Sequence, residues 1–220
     1  MLATLVGVVG GLGIGYLRQP QPAAGGTATP LPAASPSVPV DPPPTVAPYA
    51  QDIPYPPMPT TFTFERLLMG NSQQAWQVPV PKGWQAFTVS SSEPERVVPP
   101  GERSGYDELR FRPKGEPALG GYSLRVKTVN EHVSPSTMVG DKVTGMHEAY
   151  DEVEVSGRSE NAVRFVFRDS ENRRRYNYFQ WFGTPGTSEA SLEMSVVGRQ
   201  VDQPGLDALF AAFANTVRPA

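Results

Sequence analysis

The chain has 220 residues, a formal net charge of −3 and no cysteine. A slightly acidic chain lacks the dense basic face that nucleic acid requires. The missing cysteines exclude disulfide stapling, thiolate metal sites, a cysteine nucleophile and a lipid-modified N-terminal cysteine.

Proline is the compositional outlier, with 25 residues. Most fall between Gln19 and Thr60, and this asymmetry divides the chain into 1–18, 19–60 and 61–220. The first part holds an uncharged run, Leu2 to Leu17. As a helix it would span roughly 24 Å, against a hydrocarbon core of about 30 Å. It is short for a spanning helix and long for the apolar region of a signal peptide. Two readings compete. In an uncleaved anchor, Gly7, Gly11 and Gly15 recur every four residues and let two helices approach closely. In a signal peptide, Ala23-Ala24-Gly25 supplies a small-residue cleavage site. Arg18 follows the run, where orientation by charge prefers cations before it. The expectation is therefore a reading frame that starts upstream of Met1. Gly11, Gly13 and Gly15 do not form a dinucleotide loop, because Gln19-Pro20-Gln21-Pro22 follows where a helix is needed.

Residues 19–60 are Pro/Ala/Thr/Ser-rich, with only Arg18 before them and Asp41 and Asp52 within them charged. Such a segment cannot bury a core and reads as a disordered, semi-rigid spacer. Fully extended it would reach on the order of 130 Å. Pro36, Pro39 and Pro42 carry the spacing that proline-groove domains read, as a second reading of the same segment.

From Thr61 proline thins and hydrophobic alternation begins. Roughly 160 residues remain, enough for one folded unit. Thr61–Phe64, Ala75–Val80 and Gln85–Val89 read as short strands, and Ser90–Gly105 as a loop. Asp107–Arg112 places Leu109 and Phe111 opposite Arg110 and Arg112. Gly121–Val129 repeats the pattern, with Leu124 and Val126 opposite Arg125 and Lys127, so the two predict a hairpin. Ser134-Pro135 opens a helix as N-cap and first residue, with Val139, Val143, Met146 and Tyr150 on one stripe. Four strands in a meander follow: Glu152–Val155, Ala162–Arg168, Tyr176–Phe182 and Ala190–Val197. Pro204–Val217 closes the chain as a helix with Leu206, Leu209, Phe210, Phe213 and Val217 on one face. Short turns make the strands antiparallel, and amphipathic helices need a sheet to cover. The predicted class is α+β: an antiparallel sheet flanked by helices, preceded by the anchor and stalk.

The segment Trp76-Gln77-Val78-Pro79-Val80-Pro81-Lys82-Gly83-Trp84 resembles the opening P-x-G-W signature of the PsbP-like superfamily, and the order of elements after it matches as well. Within that superfamily the chain is most similar to LpqN-type actinobacterial envelope lipoproteins. The resemblance covers about Thr61 to Pro219. It implies an α/β/α sandwich and a non-enzymatic role in interaction. It carries no site residue onto this chain, which also lacks the lipid-attachment cysteine; the apolar anchor would replace the lipid.

Catalytic constellations are absent from the sequence. His132 and His147 stand without a ligand set or a positioned nucleophile, and no hydrolase elbow, paired-histidine metal motif or phosphate loop occurs. Neither a metal nor a cofactor is expected. The densest charge is Arg173-Arg174-Arg175, followed by Tyr176, Tyr178 and Trp181. With Arg164 and Arg168 these residues read either as a basic, aromatic interface patch or as a solvated hairpin whose arginines pair with Glu154, Asp169 and Glu193. The functional expectation is an extracytoplasmic binding module, held at the cell membrane or secreted, with an envelope protein, a lipid or a cell-wall polymer as partner and no nucleic acid. The alternative is a sensory or structural domain that associates through its glycine-rich anchor helix.

Overall fold

The computed structural model describes residues 46–70, 74–90 and 92–220, and its compact unit runs from Ala47 to Ala220. The apolar run with Gly7, Gly11 and Gly15, and most of the proline-rich segment, lie outside the described residues.

The fold is α+β and built on antiparallel sheets. An N-terminal hairpin, β1 (Phe64–Gly70) and β2 (Ala75–Pro81), leads into β3 (Gln85–Thr88), β4 (Val97–Val98), β5 (Glu108–Arg112) and β6 (Ser123–Thr128). Helix α1 (Pro135–Ala149) precedes β7 (Asp151–Arg158), β8 (Ala162–Arg168), β9 (Arg174–Gly183) and β10 (Ala190–Arg199). Helix α2 (Gln203–Thr216) and the short β11 (Arg218–Pro219) end the chain. The large sheet has eight strands in the order β4-β3-β5-β6-β10-β9-β8-β7, and β1-β2-β11 form a second, three-stranded sheet. The predicted hairpin and meander are both present, and they join where β6 pairs with β10.

Local chemistry explains the elements. The Ser134 hydroxyl accepts the Thr137 N–H at 3.1 Å, capping α1 as predicted, with Pro135 in the first turn. In the Pro81–Trp84 turn the Trp84 N–H reaches the Pro81 carbonyl at 3.2 Å, and Gly83 sits at φ 86°, a region that favours glycine. Trp76 and Trp84 are both core residues. Three expectations are corrected. The first strand is Phe64–Gly70 rather than Thr61–Phe64. The loop 90–105 contains β4 and a 3-10 turn, Pro100–Gly105, whose buried Arg103 bonds Glu65 at 2.6 Å. The last helix ends at Thr216, because Arg218 and Pro219 pair with β2.

The large sheet buries both faces, unequally. On one, Leu109, Val126, Met194 and Tyr178 pack under α2 and the small sheet. On the other, Val163, Phe165, Phe179 and Trp181 pack under Val139 and Met146 of α1. That helix touches β7, β8 and β9. A helix about 10–12 Å across shades only two or three strands spaced about 4.8 Å apart. The row Val163, Phe179, Ser195, Arg125, Arg110 therefore runs from apolar beneath α1 to charged where no helix lies above.

The end of the proline-rich segment is also corrected: the spacer does not continue to Thr60. Residues 47–60 form a strap bound to the domain. The Ala50 N–H bonds the Asn172 carbonyl at 2.7 Å, Tyr55 packs edge-on against Tyr122, and Met58 is buried. Arg199 donates to the carbonyls of Ile53, Tyr55 and Pro56 at 3.0, 2.9 and 3.0 Å. Polyproline-like backbone has no internal hydrogen bonds, so its carbonyls are free to accept these.

Candidate functional site

The arginine hairpin does not form one exposed patch. Arg175 is 4% exposed, and its guanidinium donates to the Gly120 carbonyl at 2.6 Å and to that of Gly121. Tyr176 and Tyr178 are buried on the α2 face, while Trp181 is fully buried on the α1 face. Successive strand residues point to opposite sides, so this alternation separates the aromatics. Arg173 pairs with Glu171, and its N–H bonds Asp169 Oδ1 at 2.8 Å. Arg168 pairs with Glu152 at 2.8 Å and Arg164 with Asp207 at 2.9 Å. Of the six residues, only Arg173 and Arg174 stay partly exposed, and Arg174 lies beside the Tyr49 ring of the strap.

The open half of the α1 face forms a groove of about 670 Å³ instead. Its floor comes from β5, β6, β9 and β10, and its wall is the side of α1 that carries Lys142 and Gly145. Glu193 on β10 organises the floor. It is 2% exposed and accepts Trp181 Nε1 at 3.0 Å and Arg125 Nη1 at 3.2 Å. Arg125 in turn donates to Glu108 at 2.5 Å. Buried charges survive when they are paired and hydrogen-bonded in this way. Lys142 Nζ lies 3.9 Å from Glu193 and 4.5 Å from the Phe179 ring centre. Burial pulls the Lys142 ammonium below its ordinary range, against the attraction of Glu193, and nearby Arg125 and Lys127 add to the lowering. Between these charges lie the small Ser123 and Ser195. The Asn177 Oδ1 at the floor is buried and has no hydrogen-bond partner.

The sequence showed Arg125 and Lys127 as an outward face and offered Glu193 as a partner for the arginine hairpin, whereas it pairs with Arg125; Lys142 and Ser195 carried no signal of their own. Their alternation was readable; the adjacency of β6 and β10 was not.

Elsewhere, His132 Nδ1 sits 3.0 Å from Glu189 on the surface, and His147 lies in the last turn of α1. Among the described residues, no group of three or more His, Cys, Asp or Glu side chains is placed to hold a metal ion, and no helix is long and apolar enough to cross a membrane. No protein-family model matches the chain, and no curated protein matches it.

Proposed function

We propose that this chain is a non-enzymatic extracytoplasmic binding module with a PsbP/LpqN-like α/β/α arrangement, displayed from the cell membrane on its proline-rich stalk. The groove beside α1 is its ligand site, and the partner is a component of the cell envelope. One observation carries this reading: a sheet face is left open beside a helix and lined with charged and hydroxyl side chains rather than closed by apolar ones. Concave sites with a few convergent polar groups are where proteins hold ligands. Paired charges on a rigid sheet suit non-covalent recognition.

The test is photo-crosslinking in intact cells that express the full chain. A photoreactive residue replacing Met138, at the groove, should capture an envelope component. The same residue replacing Leu119, 69% exposed on a loop outside the groove, should not. Protease added outside the cells should digest the domain. Equal capture from both positions, or a protected domain, would contradict the proposal.

A further inference from the structure

Resting on the groove as ligand site, the geometry points to a small polar ligand that carries an oxyanion, a carboxylate or a phosphate, held between Arg110 on β5 and Lys142 on α1. The hydrogen-bond inventory of the groove is lopsided. Three of its four carboxylates are occupied. Glu193 uses both oxygens, on Arg125 and Trp181. Glu108 accepts from Arg125. Glu131 accepts Lys127 Nζ at 3.3 Å and the Asn130 N–H at 2.7 Å. Among the described lining residues, Asp141, exposed at the rim, is the acid left without a cation.

The spare capacity is in donors. The Arg110 guanidinium makes no hydrogen bond among the described residues. It reaches Glu95 Oε1 only at 4.0 Å, and Arg112 already holds that oxygen at 2.9 Å. The Lys142 ammonium has the 3.9 Å approach to Glu193 and the Phe179 ring face, and no hydrogen bond among the described residues. Ser123 on β6 and Ser195 on β10, largely buried residues that line the same groove, have hydroxyls that also make none among the described residues. A partly buried ammonium with unmet donors is costly, and an incoming acceptor relieves that cost. Arginine and lysine converging with hydroxyls are the donor set that binds carboxylate or phosphate.

At about 670 Å³ the groove exceeds a bare ion and falls within the range of small-molecule sites. Asn177 Oδ1 at the same floor is an unpaired acceptor with almost no solvent exposure, so a hydroxyl on the body of the ligand meets the two serine hydroxyls first and Asn177 only after its side chain turns. The ligand class is thus an oxyanion borne on a polyol.

The experiment titrates the full chain, in detergent, with glucuronate, glycerol phosphate and glucose, and follows backbone amide shifts of β6, β10 and α1. Either anion should shift groove amides saturably, and glucose should not. Response to glucuronate alone assigns a sugar-acid source; response to glycerol phosphate alone assigns a phosphate-headgroup source. Arg110→Gln and Lys142→Gln should each weaken binding at least tenfold without moving the denaturation midpoint, and Lys142→Arg should restore most of it. Binding of glucose equal to that of the anions, or no response to either anion at millimolar concentration, would overturn the oxyanion. If crosslinking from Met138 still captures an envelope component in that case, the groove stands as a ligand site and only its chemistry has been misassigned.

Discussion

Arg199 and Asp202 form an ion pair with almost no solvent exposure, 1% and 0%, and this pair fixes the strap to the domain. Arg199 Nε and Nη2 reach the two Asp202 oxygens at 2.7 and 2.8 Å, while the guanidinium's other N–H groups take the three strap carbonyls. Asp202 also accepts the Met58 N–H at 2.9 Å and the Arg199 N–H at 2.8 Å. All five guanidinium donors therefore have partners, the condition under which a buried arginine is tolerated. Asp202→Asn leaves that cation without its counter-charge. The expected loss is about 3–5 kcal/mol in urea denaturation, with faster proteolysis in 47–60. An unchanged midpoint would contradict the clamp.

Gly205 gives the strap its seat. A Cβ there would lie 2.7 Å from Met58 Cβ and from the Pro59 carbonyl oxygen. Gly205→Ala should cost about 1–3 kcal/mol by overpacking and expose the Met58 amide to hydrogen exchange. Gly145→Ala on α1 meets nothing within 4 Å and should be neutral or stabilising.

Glu116 predicts a pH dependence. Burial raises its carboxyl from the ordinary 4.5 to about 7, opposed by the Tyr122 N–H bond to Oε1 and by Arg199 and Arg175. The folded chain holds a proton that the unfolded chain releases, so this contribution to stability is fully present below about pH 4.5 and is lost as pH rises through about 7. Glu116→Gln should flatten the urea midpoint between pH 5 and pH 8, in the sense that the wild type declines across this window and the variant does not. Parallel curves would refute it.

The arginine triplet should divide by role. Arg175→Ala strips one buried and one partly buried carbonyl of their donor and should cost about 2–3 kcal/mol. Arg174→Ala removes only loose ring contacts, near 6 Å from Tyr49 and Tyr176, and should stay within about 0.5–1 kcal/mol. Thermal or urea midpoints of the two variants decide this, and equal losses would contradict the division.

Legibility in the sequence followed the range of the interactions. Leu109, Phe111, Leu124 and Val126 announced their strands because the period-two pattern is local. Ser134 and Pro135 announced α1 for the same reason. The strap was not legible: proline-rich composition argues for disorder, and what overrides it is Arg199, 144 residues beyond Tyr55. β1 was misplaced because Leu67, Leu68 and Met69 form an apolar run without alternation, although Leu68 faces solvent. The arginine triplet drew attention as a linear cluster, yet strand geometry scatters its side chains and aromatics over two faces. The groove has the opposite character. Arg125 and Glu193 are 68 residues apart, and only the pairing of β6 with β10 brings them together.

The most direct measurement fills the groove. Full-length chain, its Gly145→Trp variant and an Arg173→Ala/Arg174→Ala variant are compared for capture of envelope material from detergent extract, after matching their denaturation midpoints. Gly145 lines the groove and its Cβ position is open, so the indole occupies the cleft without displacing the core. Loss of capture in Gly145→Trp alone is the predicted result. Capture that survives Gly145→Trp and fails in the arginine variant would move the binding site to the β8–β9 hairpin and contradict the assignment of the groove.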